Sequence, residues 1–140
     1  MRHIVQNTAL PLSWTVLHDE QLVIATGAGD VVLMDLIRFM QALAQGGLLS
    51  YPRIVDLSHG TLALKAAEIR NIAQGVAAAT ANGTLGPIAA IAFVARSEEV
   101  RDMALLFGER TARTDRPLRV CASIAEARDW ISSLRRDQAS

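Results

Sequence analysis

The sequence is poor in the residues that hold small folds together by covalent or metal links. Among its 140 residues there are one cysteine, Cys121, and three histidines. A single cysteine cannot form a disulfide within the chain, and these four residues do not have the spacing of metal ligands. We therefore expect a fold held by its hydrophobic core, with Cys121 buried in a strand, and we expect no metal and no cofactor.

An excess of charge of one sign is also missing. Fourteen Lys and Arg residues balance fourteen Asp and Glu residues, and aromatic residues make up only 4% of the chain. Without a basic excess or interleaved aromatic residues, nucleic-acid binding is not expected. The longest uncharged apolar run, residues 85–95, is too short to span a membrane. The N-terminus lacks the apolar segment of a secretory signal, so we expect a cytoplasmic protein.

What the sequence does contain is a regular alternation of apolar strands and amphipathic helices. An opening pair of strands is followed by three helix–strand units and a closing helix, in the order ββαβαβαβα. The strands are expected at residues 13–17, 22–26, 53–57, 87–95 and 118–122. This pattern predicts one α/β domain over residues 1–140, with its core at about 13–134. It has a mostly parallel five-stranded sheet, an antiparallel opening strand and four flanking helices.

Four polar residues are predicted to cap the helices. Asp30 follows a glycine-containing segment, 27–29, that we expect to break the second strand. Thr61 and Ser97 precede the next two helices, and Ser123 with Glu126 forms the capping box of the last one.

Function is expected at the polar segments that follow the strands, because ligands of open parallel sheets bind beyond the carboxyl ends of the strands. These segments are residues 26–30, 56–61, 96–98 and 122–123. We expect Asp56 to orient its turn, Ser58 or His59 to face a ligand or partner, and helix N-termini to donate to an anion. The candidate binding residues are Gly27, Gly29, Asp30, Asp56, Ser58, His59, Thr61 and Ser97.

The sequence matches two enzyme motifs only in part. The segment 56–60 resembles the Gly-x-Ser-x-Gly nucleophile elbow, but Asp56 replaces the first glycine and no histidine follows His59. Gly27 and Gly29 suggest a dinucleotide loop, but Val32 occupies the position of its third glycine. A catalytic role is therefore not expected.

Two aromatic residues, Trp14 and Phe39, are expected in the core. On the surface they would instead form a patch suited to self-association.

The order of elements, the segment Ile54–Ser58 before the second helix and the closing segment 120–131 together resemble the STAS domains. Within that superfamily the chain is similar to the SpoIIAA-like branch, over residues 13–134. In the anti-sigma-factor antagonists of the wider family, a phosphorylated serine begins the helix after this strand. The corresponding segment here, residues 61–68, has no serine, so a phosphorylation switch at that position is not expected.

The resemblance implies a non-enzymatic regulatory or protein-interaction module. We expect a homodimer that binds a regulatory protein partner or a small ligand. The SpoIIAA-like fold is also similar to that of certain lipid-transfer domains. This likeness implies an alternative, a carrier or sensor of a small apolar, lipid-like or anionic ligand, and a carrier would need an enclosed apolar pocket.

Overall fold

A computed structural model describes residues 11–81, 90–111 and 117–139. In these ranges the chain forms five strands and four helices in the predicted order. The strands are β1 Leu12–Leu17, β2 Leu22–Val31, β3 Arg53–Leu62, β4 Ile91–Val94 and β5 Leu118–Cys121. The helices are α1 Leu33–Gln45, α2 Ala66–Ala81, α3 Glu98–Thr111 and α4 Ile124–Ala139. The first part of the predicted fourth strand, up to residue 89, lies outside the described residues.

The strands form one mixed sheet in the sequential order β1-β2-β3-β4-β5. β1 is antiparallel to β2, and every later pair is parallel. The predicted α/β class and the antiparallel opening strand are therefore confirmed. The hairpin turn between β1 and β2 ends at Gln21, which has a φ of 50°. Two arginines of α4 hold this turn, since Arg128 pairs with Glu20 and Arg135 donates to the Gln21 carbonyl.

The helices divide between the two faces of the sheet. Side chains of α1, α2 and α3 share one large core with alternate strand residues, such as Val55 and Phe93. The intervening strand residues, such as Ile54 and Val94, pack with α4 in a second core on the other face. Trp14 and Phe39 belong to the larger core, with ring centroids 5.2 Å apart. Both are buried as expected, and neither contributes to a surface patch for self-association.

Two of the four predicted helix caps are confirmed. Ser97 Oγ accepts the Val100 N–H at 3.2 Å, and Ser123 Oγ accepts the Glu126 N–H at 3.1 Å. In turn, the Glu126 carboxylate accepts the N–H of Ala122, the residue before the cap, at 2.8 Å.

The predictions for Asp30 and Thr61 are wrong, because both residues lie inside strands. α1 begins at Leu33, after Val32, whose N–H donates to the Asp35 carboxylate. α2 begins at Ala66, and the preceding Lys65 N–H donates to Glu68.

None of the helices in the described ranges combines the length and apolar character needed to cross a lipid bilayer.

Cys121, at the end of β5, is buried in the core under α4, as expected. Burial raises the pKa of its thiol above the ordinary value, with a smaller contribution from the nearby Glu126 carboxylate. The thiol therefore stays protonated at neutral pH, and a protonated thiol is a poor nucleophile.

We expect Cys121 to react with a thiol reagent at mildly alkaline pH about tenfold or more slowly in the folded protein than in urea. Because folding raises the pKa, this group favours the folded state below the ordinary thiol pKa. That contribution is lost as the pH rises through the folded-state pKa. Spectrophotometric labelling checks the rate, and equal rates in the two states would contradict the burial.

Candidate functional site

Strands β2 and β3 continue through the segments that were predicted to be loops. β2 runs to Val31 and β3 runs to Leu62, so residues 26–30 and 56–61 pair with each other. Val31 and Leu62 are cross-strand partners, and both are buried in the larger core. Burial of this last pair of side chains stabilises the extension of both strands beyond their polar middle residues.

Glycines allow the two backbones to approach closely. A Cβ atom on Gly60 would lie 2.9 Å from the carbonyl oxygens of both Gly27 and Gly29. Gly29 has a φ of 79°, a left-handed conformation that favours glycine. In a strand, glycine often marks a close backbone approach and not a break.

We expect Gly60→Ala to destabilise the fold by about 1–3 kcal/mol, because its methyl group would press on backbone oxygens that cannot move independently. Gly75→Ala is the matched control, since its Cβ would meet nothing within 4 Å and it lies in α2. That change should stabilise the protein by about 0.5–1 kcal/mol. Urea unfolding followed by circular dichroism measures both, and a neutral Gly60→Ala variant would contradict the close approach.

A β-bulge lies where the strands leave the main sheet. Thr26 pairs with Asp56, but the next partners are Ala28 and His59, so β3 contains one extra residue. Oδ1 of Asp56 accepts the Ser58 N–H at 3.0 Å and the Ser58 hydroxyl at 2.5 Å. A carboxylate that bonds the backbone two residues later stabilises a local turn of the chain. Asp56, expected to orient a loop, thus orients this bulge.

Asp56→Ala should lower the free energy of unfolding by about 1–3 kcal/mol, because the Ser58 N–H and hydroxyl lose a charged acceptor. Asp56→Asn keeps an acceptor oxygen and should cost less than half as much. Chemical unfolding compares the two variants, and amide hydrogen exchange at Ser58 shows whether the loss is local. An Asp56→Ala variant as stable as the unmodified chain would contradict a role of the Asp56 side chain in the bulge.

Beyond the bulge, the two strands extend past their neighbours. β1 begins at Leu12, opposite Gly27, and β4 ends at Val94, opposite Asp56. Among the described residues, 28–31 and 59–62 therefore form a two-stranded parallel extension, which we call the rim ribbon, and at its start the Ala28 N–H donates to the Pro11 carbonyl beside β1. Thr61 Oγ1 donates to Asp30 Oδ1 across it at 2.6 Å.

A depression of about 320 Å³ lies between the rim ribbon and the start of α3, open to solvent, and we call it the rim depression. Its lining residues are Gly29, Asp30, Leu57, Ser58, His59, Gly60, Thr61, Arg96 and Ser97. Six of the eight candidate residues are among them. The other two adjoin the lining, because Asp56 bonds Ser58 and Gly27 lies so close to Leu57 that a Cβ on it would meet the Leu57 side chain at 2.8 Å.

Three lining residues, Leu57, Gly60 and Arg96, lie within the predicted segments 56–61 and 96–98 but were not among the individual candidates. In the sequence, Leu57 is typical of a core residue and Gly60 is typical of a turn residue. Arg96 had one usable signal, since it directly follows a buried strand and precedes the Ser97 cap.

The polar groups of the rim depression are hydrogen-bonded to one another or exposed to solvent. The Ser58 hydroxyl donates to Asp56, and within the described ranges no hydrogen bond joins it to the exposed His59. The Asp30 carboxylate accepts from Thr61, and Arg96 forms no ion pair with any described residue. No cluster of His, Cys, Asp and Glu side chains in the described part of the chain is suited to a metal ion. Asp30 lies in a strand, so it offers no helix N-terminus to an anion.

Comparison with known proteins identifies the fold. No family model and no curated protein matches the sequence. A solved structure of an uncharacterised DUF3478-family protein from Shewanella loihica PV-4, described as having a SpoIIAA-like fold, matches with a TM-score of 0.50. The match covers 92% of each chain at 10% sequence identity. With the sheet order and the element order, this likeness shows that the chain has the SpoIIAA-like fold that its sequence pattern predicted.

Proposed function

We propose that this chain is a non-enzymatic interaction module that recognises a regulatory protein partner through the rim depression. One observation carries the proposal: two strands leave the sheet together and form one wall of an open depression, with the start of α3 as the other. The homodimer and the cytoplasmic location expected from the sequence stay predictions.

The supporting features are those of a preorganised binding surface. The rim ribbon is fixed at one end by the Asp56–Ser58 bulge and at the other by burial of Val31 and Leu62. Little ordering is therefore needed when a partner binds, and preorganisation increases affinity by reducing that cost. His59 and Arg96 are exposed at this surface and provide polar contacts.

The same features favour a protein partner over lipid cargo. The rim depression is open, and its lining combines backbone groups with a carboxylate, hydroxyls and a guanidinium. A crevice between α2 and α3, at Ile69 and Leu106, holds only about 40 Å³. Pockets for small molecules usually enclose about 300–1,000 Å³ and are mainly apolar.

The experiment compares the unmodified chain with a Ser58→Ala, His59→Ala double variant as bait in a lysate of the native host. We expect the double variant to retain about a tenth or less of the specifically captured partner, because it removes two polar side chains from the surface. The control bait carries Asn71→Ala and Ser132→Ala, two exposed positions on α2 and α4. It should capture the partner normally.

Quantitative mass spectrometry measures capture, and thermal unfolding confirms that each bait is folded. Equal capture by a folded double variant would show that partners bind elsewhere.

A further inference from the structure

We propose that the partner binds as an extended peptide that adds a strand to the outer edge of β3 at Gly60, with an acidic side chain against Arg96. This inference rests on the proposed function and names the mode of recognition at the rim depression.

The first step is the unequal length of neighbouring strands. β3 has ten residues and β4 has four, and their pairing ends at Asp56 and Val94. The next residue of the chain, Ala95, donates its N–H to the Cys121 carbonyl, so the backbone after β4 stays with β5. Residues 58–62 therefore have β2 on one side and no described strand on the other.

The second step is the direction of the backbone groups on this edge. Ala63 donates its N–H to the Val31 carbonyl, which places the N–H of Ala63 on the β2 side. Along a strand, successive residues direct their N–H and C=O groups to opposite sides. Thr61 and His59 therefore face β2, and Gly60 directs its N–H and C=O outward. Gly60 is partly exposed and has no side chain to cover them.

The third step is that the rim depression lies beside this edge. Ser58 and Gly60 of β3 line it together with Arg96 and Ser97, and Gly29 and Asp30 of β2 complete the lining on the other side of β3. Neighbouring strands lie about 4.8 Å apart, so a further strand next to β3 would occupy this space. The depression, about 320 Å³, suits a short extended segment and not a folded domain. Main-chain hydrogen bonds to an exposed sheet edge are a recurring mode of peptide recognition.

The charged side chains beside the rim depression indicate which peptide sequence would bind. Arg96 is exposed and makes no ion pair within the described ranges, whereas the Asp30 carboxylate accepts from Thr61. A carboxylate on the peptide would complement the guanidinium, and arginine pairs well with carboxylates. Glu98 and Glu99, exposed in the first turn of α3, would repel a run of acidic residues. The expected peptide thus carries one acidic residue in an otherwise uncharged extended segment.

The test selects binders from a random peptide library against the folded full-length chain. An enriched peptide is titrated into isotope-labelled protein, and amide hydrogen exchange is followed by NMR. We expect the peptide to slow exchange of the Gly60 amide about tenfold or more, since a new hydrogen bond protects it. Protection at Gly60 separates strand addition from contacts made by side chains alone.

Charge reversal provides the second measurement. Arg96→Glu should weaken the selected peptide about tenfold or more, and replacing the acidic residue of the peptide by lysine should restore binding to that variant. Arg38→Glu, at an exposed position of α1 outside the rim depression, is the matched control and should bind the original peptide normally.

Three outcomes overturn the inference: no peptide is enriched, enriched peptides leave the Gly60 amide unprotected, or Arg96→Glu binds them as tightly as the unmodified chain. If partner capture still depends on Ser58 and His59 in any of these cases, the interaction module stands and only strand addition fails. If capture is also unchanged in that double variant, both proposals fail.

Discussion

The close pairing of β2 with β3 is the constraint on which the rim of this molecule depends. Two strands whose middle is polar and glycine-containing would not be expected to stay paired beyond the main sheet. They do so because Val31 and Leu62 are buried together at the far end. Burial of each such side chain contributes about 1.5–3 kcal/mol. The absence of a side chain at Gly60 removes the steric obstacle. The polar residues between the bulge and this buried pair are therefore held in place by the hydrophobic contacts of Val31 and Leu62.

This constraint explains which parts of the fold could be predicted. The starts of β2 and β3 follow from apolar runs, and the parallel direction of the later strands follows from the alternation of strands with helices. The end of β3 does not, because the residues after Leu57 lose the alternation of apolar and polar side chains. The extra residue of the bulge changes which side of the ribbon each residue faces. These residues are extended because they pair with β2. The local pattern of apolar and polar residues does not indicate which strand they pair with.

Helix caps show the same division between local and long-range causes. Ser97 and Ser123 cap helices as predicted, because their own hydroxyls bond the following turn. Asp30 and Thr61 have the same local preference for a cap, yet their side chains bond each other across the rim ribbon at 2.6 Å. The difference is that each of them stands before a buried residue of a paired strand. The candidate residues nevertheless lie together, because both strands end at the same edge of the sheet.

The features of the rim are more specific than the fold that contains them. A SpoIIAA-like fold at 10% identity establishes the path of the chain, and a fold alone does not establish function. The bulge at Asp56, the glycines and the unequal lengths of β3 and β4 are local properties of this chain. Together they expose backbone hydrogen-bonding groups in a fixed geometry, next to an arginine with no described ionic partner. Backbone groups of this kind select a ligand by its backbone conformation. A charged side chain selects a ligand by the charge of the residue at one position. Under the proposed strand addition, a surface that combines both would recognise an extended segment generally and one acidic position within it specifically.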